Sequence, residues 1–173
     1  PRIVKAAKLG DAAILKVLIK ILLENKINVI KLNTFNPELT LKKGFYTKLK
    51  PSKEEKEEII KGALTLKKIN SYNHTQALII RDNKVISKET IKGTKEMIKS
   101  IPKSKIKKGI LIKLPKTKQD LRVDLPTIGI DTFKDCNKVG IKGIVVKSNQ
   151  NIILNKDVCI RYANKNKLFL IAI

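Results

Sequence analysis

Residues 109–115 read GILIKLP, a run of apolar residues that a glycine opens and a proline closes. Its short length and its isoleucines predict a buried β-strand, because strands of this kind end at Gly or Pro. The next segment, KTKQDLRVDLPTIG at 116–129, is polar and carries two aspartates and one arginine. A buried strand that leads into a polar loop is typical of α/β proteins, whose ligands bind beyond the strand ends.

Helical and strand-like patterns alternate on both sides of this strand. Helices are predicted at 11–25, 53–70, 93–98, within 126–140 and at 156–166, with a turn or a single helical turn at 36–40. Strands are predicted at 27–30, 143–146, 151–154 and 168–173, with a hairpin over 76–89 that turns at Asp82-Asn83. The sequence therefore predicts an α/β fold with a mixed sheet and flanking helices.

The composition suits one globular domain with room for an appended piece. The chain has 173 residues, of which 42% are hydrophobic, but it has no Trp and only 4% aromatic residues. The predicted core is therefore aliphatic. Cys136 and Cys159 lack any metal-binding spacing and are predicted to be buried or half-buried thiols. No apolar run reaches the roughly 18–20 residues of a membrane span.

The chain is strongly basic, with 38 Lys and Arg against 15 Asp and Glu and a net charge of +23. Such a charge is typical of proteins that bind nucleic acid or an anionic membrane. However, the lysines are spread along the whole chain, and aromatic residues do not interleave with them as a base-stacking surface requires. The spread of the lysines favours a solvated lysine surface that arose by drift of the overall composition, and not a polyanionic partner. A basic nucleic-acid-binding protein stays as an alternative.

The segment after the strand contains an Asp-x-Arg-x-Asp cluster, formed by Asp120, Arg122 and Asp124. If the segment is extended, the three side chains share one face, because side chains alternate along a strand. Two carboxylates can hold a hard divalent cation, and arginine can bind a phosphate through two hydrogen bonds. This set predicts hydrolysis of a phosphate ester or a pyrophosphate. The alternative is a structural ladder of salt bridges.

Other candidate residues carry weaker signals. His74 is the only histidine and is interpreted as a polar loop residue. Gly93-Thr94 could direct backbone N–H groups toward a phosphate, or could simply begin a helix.

Eight segments, taken in order, resemble one enzyme family. They are KLGDAAIL (8–15), PSKEEKEEIIKGA (51–63), TQALII (75–80), KGTKEMI (92–98), LIKLPKTKQDLRVDLPTIGIDT (111–132), GIKGIVV (140–146), IILN (152–155) and LFLIAI (168–173). The family is the metal-dependent UDP-2,3-diacylglucosamine pyrophosphatase (diphosphatase) of lipid A biosynthesis, of the type unrelated to calcineurin-like phosphoesterases. The resemblance is to its C-terminal domain, and KTKQDLRVDLPTIG is its most specific part.

The resemblance implies cleavage of UDP-2,3-diacylglucosamine to lipid X and UMP, with Mg²⁺ (or Mn²⁺) and a water that attacks the α-phosphorus. It implies that Asp120 and Asp124 are the catalytic and metal-binding residues. Gln119 and Arg122 are then predicted to orient phosphate or ligand carboxylates. At three other motif positions, the predicted substrate-binding residues are Gln76, Thr94 and Thr127.

The resemblance also implies a domain organisation. Residues 1–34 are predicted to form an interdomain linker with a helix that leads into the domain, and 35–173 the C-terminal catalytic α/β domain. The family's N-terminal domain is expected to be absent from this chain. The implied location is cytoplasmic and peripheral at the inner membrane, where anionic lipid could attract the lysines. A homodimer is left open.

The chain departs from the family at three motifs. The family's Gly-Asp-Asp is Gly-Asp-Ala at 10–12, its Asp-Ile-Gly-Gln is Asn-His-Thr-Gln at 73–76, and its Glu-Gly-Thr-Asp is Lys-Gly-Thr-Lys at 92–95. Each departure removes at least one carboxylate, and the last one introduces Lys92 and Lys95. Mg²⁺ prefers oxygen ligands and is repelled by ammonium groups. An inactive, truncated relic of the enzyme is therefore a second alternative.

Overall fold

The computed structural model describes residues 2–8, 11–70, 75–117 and 119–173. Its α-helices within these ranges are α1 (Arg2–Ala7), α2 (Asp11–Glu24), α3 (Lys53–Asn70), α4 (Gly93–Lys99), α5 (Ile130–Lys138) and α6 (Lys156–Lys165). Its strands are β1 (Gly44–Phe45), β2 (Ala77–Arg81), β3 (Lys84–Lys88), β4 (Ile110–Lys113), β5 (Thr127–Ile128), β6 (Gly143–Val146), β7 (Ile152–Ile153) and β8 (Phe169–Ala172). Short 3₁₀ turns cover Leu32–Thr34 and Pro37–Leu39. The predicted α/β class is confirmed.

Six strands form one mixed sheet in the order β1-β8-β6-β4-β2-β3. The neighbours β8, β6 and β4 are parallel, whereas β2 runs antiparallel to β4, and β1 and β3 are antiparallel to their neighbours. Every residue of β4 and β6 is buried, which explains why both strands are apolar in sequence apart from Lys113 at the end of β4. Strands β5 and β7 form a separate parallel pair.

Helices cover both faces of the sheet, and the core is divided accordingly. One face packs Ile79, Leu111 and Ile144 against α5 residues such as Phe133. The other face packs against α3, which comes so close that a Cβ added to Gly62 would lie 2.4 Å from Ile112 Cδ1. The absence of a side chain at that position lets the helix lie directly on the sheet.

The local signals for α3 and for the hairpin are confirmed in detail. Ser52 Oγ accepts from Glu55 N at 3.2 Å, and Glu55 Oε2 accepts from Ser52 N at 2.8 Å. This reciprocal capping box satisfies two backbone donors at the start of α3. The β2–β3 turn places Asp82 and Asn83 at φ +49° and +58°, the left-handed pair that a two-residue hairpin needs.

The strand predicted at 27–30 is wrong. Lys26 has a φ of +60°, and Ile27 N donates to Leu22 O at 2.9 Å, so these residues form a C-terminal cap of α2. Ile27 and Ile30 are 52% and 53% exposed. Strand β1, which pairs with the last strand, was not predicted, because two residues carry no periodicity. No helix in the described ranges is long and apolar enough to cross a membrane.

Candidate functional site

The polar segment 114–126, called here the aspartate loop, leaves the carboxyl end of β4. Because β4, β6 and β8 are parallel, their carboxyl ends meet at one end of the sheet, and the loop begins there. We call this the carboxyl end of the sheet and the opposite one the amino end. Ligand sites of open α/β sheets lie beyond the carboxyl ends of the strands. The fold therefore places the predicted site residues of this loop where such a site is expected.

The aspartate loop is not extended between residues 120 and 124. Val123 N and Asp124 N both donate to Asp120 O, at 3.1 and 2.9 Å. These two bonds wind the backbone into one helical turn, so the face predicted from strand alternation does not exist. A turn is favoured because none of the strands in the described ranges pairs with this segment, and Asp readily bonds to the backbone two residues on.

Asp120 and Arg122 form a bidentate ion pair. Arg122 Nη2 lies 2.7 Å from Asp120 Oδ2, and Arg122 Nε lies 3.0 Å from Oδ1. The backbone N of Arg122 also donates to Oδ1 at 3.1 Å. The hydrogen bonds from Arg122 lower the pKa of Asp120 to about 2. Asp120 is therefore a weak proton acceptor, and its charge suits the holding of a cation better than general-base work.

The other predicted site residues, in the loop and just after it, differ in what they contact. Asp124 is partly buried, and its carboxylate has no hydrogen-bond or ion-pair partner among the described residues. Gln119 Oε1 accepts from Lys116 N at 2.9 Å, so this amide fixes the loop's own backbone. Thr127 is exposed on β5, and its hydroxyl donates to Leu125 O at 3.1 Å.

Beside the loop, a buried polar network joins β4 to the start of α4. Lys113 is only 7% exposed, and its Nζ donates to Thr94 Oγ1 at 2.8 Å. The Thr94 hydroxyl donates to Oε1 of Glu89, which is 6% exposed, and Glu89 Oε2 accepts from Gln76 N at 3.0 Å. Burial lowers the pKa of Lys113, and the Glu89 charge opposes that shift. The network thus brings the predicted residues Thr94 and Gln76 together at the carboxyl end.

Two further polar side chains, those of Gln76 and Asn151, lie next to this network. Gln76 Oε1 is buried and has no hydrogen-bond partner within the described ranges. Asn151, which is fully buried, donates to Lys113 O at 3.1 Å and accepts from Lys147 N at 2.8 Å. Asn151 thereby ties the end of β4 to the segment that follows β6.

Sequence reasoning missed Lys113, Glu89 and Asn151. A signal existed for the first two, because a lysine closes an otherwise apolar strand and a carboxylate follows β3 directly. Asn151 gave no signal, since asparagine next to glutamine in a turn is ordinary.

The positions that depart from the family pattern are described only in part. Lys92 and Lys95 are exposed on either side of Gly93-Thr94. Both lie close enough to Glu96 for their charges to contribute to its lowered pKa, although the main cause is the hydrogen bond from Lys99. Gly10, Asn73 and His74 lie outside the described residues, so the interpretation of His74 as a loop residue stays a prediction.

Mg²⁺ is bound by oxygen ligands, among which carboxylates are the charged ones. In the described part of the chain, no group of three or more His, Cys, Asp or Glu side chains could hold a metal ion. The helical turn does present two carboxylates, Asp120 and Asp124, four residues apart. In many phosphate-handling enzymes Mg²⁺ takes one or two carboxylates and completes its shell with water and substrate phosphate. In a site of that kind, Asp120 and Asp124 would be the carboxylates that hold the ion.

The fold and the site define a class: a mixed-sheet α/β domain with an aspartate-bearing loop at the carboxyl end of its parallel strands. The model of the family described as LpxI C-terminal domain matches residues 42–171, and the chain belongs to this family. It is also 25% identical over 181 aligned positions to the UDP-2,3-diacylglucosamine pyrophosphatase LpxI of Caulobacter vibrioides. That alignment covers all of this chain and 65% of the relative, so the chain spans just under two thirds of the relative's length.

Proposed function

We propose that this chain hydrolyses the pyrophosphate bond of UDP-2,3-diacylglucosamine to lipid X and UMP in lipid A biosynthesis. The proposal is supported by the membership in the LpxI C-terminal domain family over a range that includes the whole aspartate loop. The observation that carries it is the helical turn of that loop, which presents one arginine-paired and one unpaired carboxylate at the carboxyl end of the sheet.

In the proposed reaction, a water oxygen bonds to the α-phosphorus as the bond from that phosphorus to the bridging oxygen breaks. The bridging oxygen leaves with the β-phosphate, which stays on the sugar as lipid X. A Mg²⁺ or Mn²⁺ ion held by Asp120 and Asp124 would neutralise charge on the phosphates. Arg122 holds Asp120 as an anion, and we assign the proton of the attacking water to Asp124, whose carboxylate has no partner within the described ranges.

The substrate in this proposal is a membrane lipid, which suggests how the surface charge is used. A net charge of +23 attracts a protein to anionic lipid headgroups. We therefore place the reaction at the cytoplasmic face of the inner membrane, with the chain bound peripherally. A homodimer stays a prediction.

The test is release of UMP from UDP-2,3-diacylglucosamine by the purified chain, in Mg²⁺ and in excess chelator. Asp120→Asn and Asp124→Asn should each lower the rate at least a hundredfold, because each removes charge that the metal and the phosphates require. Asp131→Asn is the matched control, since that exposed carboxylate on α5 lies outside the aspartate loop. It should leave the rate within a factor of two.

Two outcomes would contradict the proposal. Release that is insensitive to both loop substitutions would place the chemistry elsewhere in the chain. No release from a folded chain, with substrate binding intact, would favour the inactive relic. That alternative rests on the carboxylates lost at three family motifs, two of which are replaced by Lys92 and Lys95.

A further inference from the structure

Helices α1 and α2 form an antiparallel hairpin that leaves much of its apolar surface exposed. Arg2 Nη1 lies 2.8 Å from Glu24 Oε2, which fixes the start of α1 beside the end of α2. Ile19 is the one buried side chain among those that the structure describes in α2. The exposed apolar residues of α2 and of the segment that follows it are 36% to 71% exposed: Leu18, Leu22, Leu23, Ile27, Ile30 and Phe35. We call these six side chains the α2 apolar residues.

The spacing along α2 is that of a helix with one apolar face. Leu15, Leu18 and Leu22 recur every three or four residues and share one side of the helix, whereas Lys16 and Lys20 share the other. Single exposed hydrophobic side chains are normal on a protein surface, but a concentration of them marks contact with a partner or a membrane. Helix α2 therefore has the face of a helix that binds something, and the described residues cover only part of it.

The charge around the α2 apolar residues is mainly positive. The lysines of this region are exposed, and none forms an ion pair with a described residue: Lys5, Lys8, Lys16, Lys20, Lys26 and Lys31. The acidic residues between positions 2 and 35 are Asp11 and Glu24, and Arg2 already pairs with Glu24. A second copy of the chain would bring like charges together, which opposes association. An anionic bilayer instead offers negative charge and hydrocarbon at one surface.

The segment after α2 is attached to the carboxyl end of the sheet. Asn33 Nδ2 donates to Asn149 O at 3.4 Å, and Asn149 N donates to Leu41 O at 2.8 Å. Asn149 lies in the turn after β6, whose carboxyl end adjoins that of β4, where the aspartate loop begins. A bilayer that binds Phe35, two residues from Asn33, therefore lies near the end of the sheet that carries the candidate site.

We propose that the α2 apolar residues insert into the interfacial region of an anionic bilayer, with the surrounding lysines at the lipid phosphates. Helix α2 has 14 residues, whereas a membrane span needs about 20, so the helix lies along the bilayer surface. Lysine side chains can bury their methylene groups and keep the ammonium in water, which suits this depth. The inference rests on the proposed function, because a lipid substrate lies in such a bilayer, but the binding itself needs no substrate.

The first experiment uses the absence of Trp from the chain. Phe35→Trp introduces a single fluorescent reporter among the α2 apolar residues. Vesicles of phosphatidylcholine with about 30 mol% phosphatidylglycerol should move its emission to shorter wavelength, because the ring leaves water. Ile60→Trp on α3 is the matched control, since Ile60 is 61% exposed. Its emission should not change, and an equal shift at both positions would overturn the proposed orientation.

The second experiment measures co-sedimentation with the same vesicles. Ile30→Ser together with Phe35→Ser should weaken binding about tenfold or more, because two exposed apolar side chains no longer enter the bilayer. Ile60→Ser, an equally exposed apolar position on α3, should bind within about twofold of the unmodified chain. If the double variant binds as tightly as this control, the α2 apolar residues do not insert and the proposal fails.

A third comparison separates the lysines of α2 from the general basic charge. Lys16→Gln with Lys20→Gln should weaken vesicle binding about tenfold. Lys56→Gln with Lys68→Gln removes the same charge from exposed positions of α3 and is the control. Equal losses in the two pairs would show that the net charge of +23 acts without a specific surface. That result would overturn the proposal.

The other occupant and the hydrolysis assay give distinct results. If the unmodified chain is a dimer in sedimentation velocity, becomes a monomer with Ile30→Ser and Phe35→Ser, and does not bind vesicles, the surface is a contact between copies and the proposal fails. Release of UMP from detergent-dispersed substrate without vesicle binding leaves the proposed function intact. Vesicle binding without UMP release supports the docking surface alone. Far-UV circular dichroism confirms that each variant is folded.

Discussion

The two ends of the sheet each carry a cavity with charged residues, but they satisfy those charges differently. At the amino end, a pocket of about 380 Å³ contains both acidic and basic side chains. Lys142 pairs with Glu55 at 2.7 Å, and Lys108 pairs with Asp82 at 3.5 Å. Arg81 is an exception, since its Nη2 is buried without a hydrogen-bond partner in the described part of the chain. Most of the charge at this end is therefore used within the protein.

At the carboxyl end, several polar groups remain available to a ligand. Lys116 and Lys147 have no ion-pair partner, and the Asp124 carboxylate has none either, when only described residues are considered. Gln76 Oε1 is buried and unpaired in the same sense. The comparison teaches that charge density alone does not identify a site. What distinguishes the carboxyl end is charge that the fold positions but leaves without a partner.

The largest expected effect on stability concerns the buried network at the carboxyl end. Unlike the charged groups at this end that lack a partner among the described residues, Lys113 and Glu89 have hydrogen-bond partners within the protein. Lys113 is linked to the buried Glu89 through hydrogen bonds to and from Thr94, and the two side chains interact electrostatically. Lys113→Met therefore leaves the Glu89 carboxylate without its cation. Breaking a buried charge pair costs about 3 kcal/mol or more. We expect a loss of about 3 kcal/mol in the free energy of unfolding, measured by urea denaturation.

A double variant sharpens the result. Lys113→Met with Glu89→Gln removes both charges and should recover at least half of the loss, whereas Lys88→Met on the exposed side of β3 should cost less than about 0.5 kcal/mol. Equal losses in the single and double variants would show that packing, not charge, makes Lys113 important.

The next effect in size tests the amino end, where the polar groups serve the fold. Ser52→Ala removes the acceptor for Glu55 N at the start of α3. Loss of such a cap costs about 1 kcal/mol. We expect that reduction in the free energy of unfolding with no change in the rate of UMP release. A change in the rate larger than twofold would connect the amino end to the site and remove the contrast between the two ends.

Local features of the fold could be predicted from the sequence, whereas the polar network at the carboxyl end could not. The α3 capping box, the Asp82-Asn83 hairpin and the buried runs of β4 and β6 were predictable, since each depends on residues close in the chain. The carboxyl-end network was not, because Glu89 and Lys113 lie far apart in sequence and are brought together by the pairing of β2 with β4 and by Thr94 of α4. Burial of a lysine is a property of the whole fold.

The aspartate loop shows a second reason why the sequence did not predict the structure of the site. Its residues were identified from the sequence, but their conformation was not, because period-two alternation applies only to a paired strand. The backbone bonds from Val123 and Asp124 to Asp120 O replaced the missing strand pairing with a helical turn. The ion pair that sequence reasoning weighed as a structural alternative is formed between Asp120 and Arg122. Which role the pair has depends on the activity of the loop variants, since a pair of this kind can serve both structure and chemistry.

The smallest expected effect concerns the pH dependence that this ion pair gives to stability. Arg122 lowers the pKa of Asp120 from its ordinary 3.8 to about 2 in the folded chain. A lowered carboxyl pKa means that the unfolded chain binds the proton more tightly, so the stabilisation is complete above about pH 4 and is lost as the pH falls through 2. Asp120→Asn should therefore reduce the stability difference between pH 4 and pH 2, as seen in urea midpoints.

The comparison needs a second carboxylate, because other acidic groups titrate in the same range. Asp131→Asn reports the behaviour of an exposed carboxylate whose nearest ion-pair distance, to Lys134, is 3.9 Å. The difference between the two variants isolates the contribution of the Asp120–Arg122 pair. If both variants change the acid dependence by the same amount, the pair does not persist in solution. The carboxyl end would then present two free carboxylates, and the contrast with the amino end would be larger than the structure indicates.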